Sequence, residues 1–135
     1  MLLTAIPLLH PLIKNWTIST LIPYIFFILG ETLLFRTASP EAKYHLDIFW
    51  SYREWNTYWA EIITNIILFI PLGFLLGRLV GWKGILIAAV MSAAIETIQL
   101  IMHLGLFEID DIIHNTVGAA IGAALHKLVK RYIDR

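Results

Sequence analysis

Four long apolar stretches account for most of this chain and decide what it can become. They run from about Thr17 to Phe35, Ile62 to Val80, Gly84 to His103 and Asp111 to Val129. A hydrocarbon core about 30 Å thick needs about 20 mostly apolar residues per helix, and each stretch approaches that length. Only 15% of residues are charged, against about a quarter in an ordinary soluble domain. Mean hydropathy is +0.74. The expected fold is all-α: a polytopic membrane helical bundle of about four transmembrane helices, with residues 1–135 forming a single domain.

The same composition removes whole classes of function. Formal net charge is zero, so no bulk field points to nucleic acid, and there is no cysteine to supply a disulfide, a thiolate nucleophile or a Cys-based metal site. The opening Met1–Ile13 is apolar but short and carries Pro7 and Pro11. It reads as an interfacial lead-in rather than a cleaved signal peptide, because no basic region precedes it.

Lys and Arg select the cytoplasmic side of a membrane. Lys14, Arg78, Lys83, Lys127, Lys130, Arg131 and Arg135 all fall on one side if both termini are inside. Arg36, Lys43 and Arg53 fall on the other, mixed with Glu41, Asp47, Glu54 and Glu61. The expected topology is therefore multi-pass with both termini cytoplasmic. Trp16 and Trp82 would mark the inner interface, and Trp50, Trp55, Tyr58 and Trp59 the outer one. The segment at about 44–59 mixes these aromatics with charge and reads as partly helical chain lying in the outer interface.

Following each span outward brings polar residues to one depth. Arg36 ends the first span, Asn65 lies in the outer turns of the second, Glu96 and Gln99 in the outer half of the third, and Asp110, Asp111 and Asn115 open the fourth. Charge at mid-bilayer costs several kcal/mol, about 2.5–3.5 on insertion scales, so such residues face protein or a wet cavity. Ser92, Glu96, Gln99 and His103 follow i, i+4, i+7, i+11, which is one helix face; Asp111, Asn115, Gly118 and Gly122 repeat that spacing. The expectation is an outward-opening polar cluster of Arg36, Asn65, Glu96, Gln99, Asp110, Asp111 and Asn115.

Blander roles compete for each residue. Asp110 or Asp111 can cap the fourth helix, Asn65 and Asn115 can join helices, and Glu96 can pair with Arg36 or be neutral. Gly73, Gly77, Gly118 and Gly122 form small-xxx-small patterns, which mean helix packing. Pro71 is expected to kink the second span. His103, His114, Glu96, Asp110 and Asp111 offer donors that suit a divalent ion such as Zn²⁺ or Mn²⁺, but they match no established metal-ligand spacing, so neither a metal nor another cofactor is expected.

These residues also carry a resemblance. Asn65-Ile-Ile-Leu-Phe69-Ile-Pro71-Leu-Gly73, Ser92-x-x-x-Glu96-x-x-Gln99 and Phe107-Glu-Ile-Asp110-Asp111-Ile-Ile-His-Asn115-Thr-Val-Gly118-x-x-x-Gly122 resemble the VanZ-like family, in order and spacing. Leu34-Phe-Arg36 and the Asp47–Tyr52 stretch resemble its first-span end and outer loop. The resemblance implies a small bacterial integral membrane protein from a family associated with low-level teicoplanin resistance. Three departures stand out: many members carry Gly-Arg before the acidic motif, whereas Gly105 is followed here by Leu106; Glu108 replaces the motif's first Asp; and His114 stands where an apolar residue is usual. A basic contact at that point is then either missing or supplied by Arg36.

Two functional classes follow. The first is a cell-envelope binding protein that meets membrane lipids, a lipid-linked glycan or a lipoglycopeptide at its outer polar pocket. The second is an enzyme acting on a lipid or lipid-linked glycan, with Glu96 or Asp111 as base. An accessory structural subunit is the plainest alternative. No nucleophile elbow, phosphate loop or metal box is legible, so binding is preferred over catalysis and no catalytic residue is assigned. No nucleic-acid partner is expected, and self-association stays open.

Overall fold

The computed structural model describes the backbone of residues 6–134 and the side chains of residues 15–134. Helix α1 (Ile6–Leu29) continues into a π-helical turn, Gly30–Leu34. A short strand β1 (Lys43–His45) and one helical turn α2 (Trp50–Arg53) lead into α3 (Trp55–Val80). Helix α4 (Lys83–Met102), strand β2 (Leu106–Glu108) and α5 (Ile109–Ile133) complete the chain. Part of the expected lead-in, residues 1–5, lies outside the described residues. From Ile6 onward the chain is helical and continuous with the rest of α1, and the stretch apolar enough to cross a membrane begins at Asn15.

Three helical segments, Asn15–Leu34, Trp55–Val80 and Lys83–Met102, are long and apolar enough to cross a membrane. Their lateral faces expose Ile18, Ile22, Phe26, Ile67, Leu86 and Val90. Large unpaired apolar faces on soluble monomers are rare, and here they encircle helices whose backbone groups are satisfied internally, as lipid requires. The core within the bundle is Leu21 and Ile28 of α1, Phe69, Leu72, Leu75 and Leu76 of α3, Ala88 and Ile95 of α4, and Ala119 of α5.

Glycine sets the closest helix pair. A Cβ on Gly73 would strike the Ala119 carbonyl, one on Gly118 the Ile66 carbonyl, and one on Gly122 the Ile70 carbonyl. Backbone therefore lies on backbone between α3 and α5. The touching pairs advance together along both helices, from Ile66–Gly118 to Gly77–Ala123, so α3 and α5 run parallel. The close contact suggested by the polar spacing on the third and fourth spans is present, with Asn115 of α5 bonding Ser92 of α4, and the glycines press α5 against α3 as well. Gly81 makes the turn from α3 into α4 with φ of 65°, a conformation glycine adopts without steric cost.

Helix α3 runs unbroken through Pro71. Proline removes the N–H that would bond the Ile67 carbonyl. One residue further on, the Tyr24 hydroxyl donates to the Leu68 carbonyl at 2.7 Å, tying α1 to this weakened turn.

At the end of the bundle where α3 and α5 begin, two loops join. Strand β1 pairs in parallel with β2, matching Lys43 to Leu106, Tyr44 to Phe107 and His45 to Glu108. The all-helical expectation misses this sheet because three-residue strands carry no readable period. Trp50, expected at the membrane interface, is instead buried; it stacks on His45 with centroids 4.1 Å apart and meets Tyr58 edge-on. Trp55 and Trp59 do remain exposed.

Candidate functional site

The polar end is built from residues that α3, α4, β2 and α5 hold at one level. Asn65 and Asp111 are brought together: the Asn65 amide donates to Asp111 Oδ1 at 2.7 Å. This bond is possible because α3 and α5 touch close by, at Ile66 and Gly118. Glu96, buried on α4, accepts the Glu108 backbone N–H through Oε2 at 3.1 Å. Its carboxylate thereby anchors the strand leading into α5. Asn115 donates to the Ser92 hydroxyl at 2.9 Å, one level deeper, joining α5 to α4.

Gln99 faces another partner. Its amide donates to the Thr32 carbonyl at 2.8 Å. Thr32 lies in the π turn, where the wider winding shifts the hydrogen-bond register, as the Phe35 N–H bonding to the Gly30 carbonyl shows. Such turns leave carbonyls open to side chains and recur at functional positions.

Asp110 turns away from the cluster. Its Oδ1 accepts the Phe49 N–H at 2.6 Å, and its Oδ2 accepts the Ser51 N–H at 3.2 Å and the Ser51 hydroxyl at 2.6 Å. It thus caps the start of α2, where Phe49 adopts a left-handed φ of 61°. The capping role anticipated for one of the two aspartates exists, but on a different helix from the one expected: neither aspartate's recorded bonds go to α5.

Arg36 is half-buried and pairs with no carboxylate within 4 Å among the described residues. The direct Arg36–Glu96 ion pair considered from sequence is absent. Arg36 Nη1 instead lies against Gly105, 2.8 Å from where a Cβ on that residue would stand. The chain that lacks arginine after Gly105 thus receives a guanidinium at Gly105 from the first loop. From there its charge still acts on Glu61 and Glu96.

Sequence reasoning left three site residues unassigned. Glu61 and Glu108 stand beside Asp111, and these three carboxyls each place an oxygen within 4.8 Å of the others. Burial pushes the Glu108 carboxyl up to about 8, and the negative charges of Asp111, Glu61 and Glu96 add to the rise. His114, 2% exposed, lies 3.0 Å from the Tyr52 hydroxyl through Nε2 and turns Nδ1 toward Asp111 Oδ1 at 4.0 Å. Glu61 and Glu108 come from separate elements, so only an i, i+3 relation between Asp111 and His114 was available as a signal.

A helical bundle with apolar flanks and one polar end describes a class: a polytopic integral membrane protein whose polar groups are collected at one end. The VanZ/LLP1 family profile matches residues 15–130, and the chain belongs to that family. Protein VanZ of Enterococcus faecium is 37% identical over 81 residues, covering 56% of this chain and 49% of that protein. The match thus spans about half the length of that relative. No solved structure matches the chain.

Proposed function

We propose that this protein works in the bacterial cytoplasmic membrane with both termini cytoplasmic, and that its polar end opens to the outer leaflet. There it binds a lipid-linked or lipidated ligand and contributes to teicoplanin resistance. In this reading α5 is a fourth span. It follows α3 in parallel along their shared glycine contact, and its 25 residues give a helix about 37 Å long. Its inner end carries Lys127, Lys130 and Arg131, as the positive-inside rule favours.

One observation carries the reading: α3, α4, β2 and α5 each deliver a polar side chain to one level, and the set includes buried Glu96, Glu108 and Asp111. Helix association alone does not need three acids at one place. The membrane location of the site suits a ligand with an acyl or polyprenyl tail, and teicoplanin is such a ligand while vancomycin is not. Family membership supplies the link to resistance.

The test is expression in a glycopeptide-sensitive host. A higher inhibitory concentration for teicoplanin than in the empty-vector strain, with a smaller change for vancomycin, supports the reading. An unchanged teicoplanin response, with the protein present in the membrane fraction, overturns it. In the same host, Glu96→Gln keeps much of the effect if the site binds, and abolishes it if Glu96 is a catalytic base.

A further inference from the structure

We propose that Glu61, Glu108 and Asp111 form a site for one hard divalent cation, of the Ca²⁺, Mn²⁺ or Mg²⁺ type. The three carboxyls come from α3, β2 and α5, and each places one oxygen within 4.8 Å of the other two. An ion bound at about 2.1–2.6 Å from each oxygen bridges separations of this size. The donors are all oxygen, which favours hard cations over zinc or copper.

The scaffold around them is rigid. Backbone contact at Gly118 and Ile66 fixes α5 on α3. The β1–β2 pairing and the Glu96 bond to the Glu108 N–H fix the strand. The Asn65 amide holds Asp111 Oδ1, in the manner of an outer-shell residue that orients a metal-binding carboxylate.

Two partnerless atoms point to a missing ligand. Glu108 is 4% exposed, and its Oε1 is enclosed with no hydrogen-bond partner. His114 Nδ1 is likewise enclosed and partnerless, and it faces Asp111 Oδ1 at 4.0 Å, beyond hydrogen-bond range. Buried polar atoms are seldom left unpaired, and an unseen ion or water is a standard reason when they are. No Lys or Arg lies within 4 Å of any of the three carboxyls among the described residues, and Arg36 acts on Glu61 only from further off. Glu61 is exposed, which leaves a route in for the ion and coordination positions open to water or to an anionic oxygen.

The spacing of these residues in the chain contains no ligand motif, because three separate elements supply them. The site does not depend on the ligand reading above, and its test uses the metal alone. The full chain, purified in detergent or nanodiscs, is titrated with Mn²⁺ under electron paramagnetic resonance, then with Ca²⁺ and Mg²⁺ as competitors. One Mn²⁺ per chain is expected, displaced by at least one competitor. Glu61→Gln, Glu108→Gln and Asp111→Asn should each weaken binding by about tenfold or more, while Glu31→Gln binds as the parent does. Glu61 is exposed, so E61Q gives an answer even if the buried variants misfold. No Mn²⁺ bound at millimolar concentration by the folded parent overturns the proposal. So does E61Q binding with parental affinity. A negative titration with an intact resistance phenotype removes the cation and leaves the ligand reading standing; the reverse outcome does the opposite.

Discussion

Asp110 and Ser51 are 59 positions apart, and the serine hydroxyl donates to the aspartate Oδ2 at 2.6 Å. Through this bond the fourth long helix organises the loop that follows the first. The carboxylate also accepts the Phe49 and Ser51 N–H groups, so a short helical turn takes its cap from a residue distant in sequence. Hydrogen bonds to charged groups contribute about 1.5–3 kcal/mol each. Ser51→Ala is expected to cost stability in that range, and Asp110→Ala more, because it leaves several donors unpaired. Thermal unfolding of detergent-solubilised protein measures both. A loss for D110A no greater than for S51A contradicts the capping role.

The glycine contact between α3 and α5 predicts a graded series. Gly73→Ala, Gly118→Ala and Gly122→Ala each place a methyl onto facing backbone, whereas at Gly77 it approaches the Ala123 Cα at 3.0 Å and the Ala123 side chain at 3.3 Å. Overpacking typically costs about 1–3 kcal/mol, and backbone cannot move aside as a side chain does. The first three variants should lower the yield of monodisperse protein and its unfolding temperature, with G77A milder than all of them. A uniform response across the four would show that the helices separate freely.

Two polar pairs join α5 to its neighbours, and they should differ in strength. Ser92 and Asn115 form a neutral pair at 2.9 Å; neutral interhelical bonds in membranes average about 0.6 kcal/mol. Asn65 bonds the Asp111 carboxylate at 2.7 Å, and a charged acceptor strengthens such a bond about twofold. Double-mutant cycles with S92A/N115A and N65A/D111A are expected to give the larger coupling for the second pair. Equal couplings would mean that the Asn65–Asp111 bond is no stronger than a neutral interhelical one.

Gly105 separates function from stability. The added methyl of Gly105→Ala meets only the Nη1 and Cζ of Arg36, the far end of a flexible side chain. Stability should change by no more than about 0.5 kcal/mol, while the guanidinium is displaced from the polar end. A reduced teicoplanin effect at normal protein level is the expected outcome. A full effect in G105A would place Arg36 outside the function.

Much of this architecture is legible from sequence for a plain reason: lipid demands long apolar helices, and small residues mark where their backbones meet. Glu96, Asn65 and Asp111 could be assigned to one level because helix direction and residue number fix depth. Partners were harder to read. Depth does not say which way a side chain turns, so Asp110 was grouped with Asp111 although it faces α2, and Gln99 was grouped with Glu96 although it reaches Thr32. Glu108 is legible only as a departure within the acidic motif, because a three-residue strand gives no period that would place it in the cluster, and Trp50 reads as interfacial because an aromatic beside charge looks the same whether it is buried or bathed in headgroups.

The parallel pairing of β1 with β2 has a consequence for how the molecule is made. A chain synthesised from its N-terminus presents Lys43–His45 long before Leu106–Glu108 exists, and early segments generally organise first. The first strand must wait, unzipped, until two further helices have been threaded into the bilayer and the second strand arrives beside it. Asp110 follows β2 by two residues and reaches Ser51 in the same closing step. The acidic end of the bundle therefore closes only after α4 has been made, and a chain interrupted there would carry every apolar helix up to α4 yet have no closed site at all.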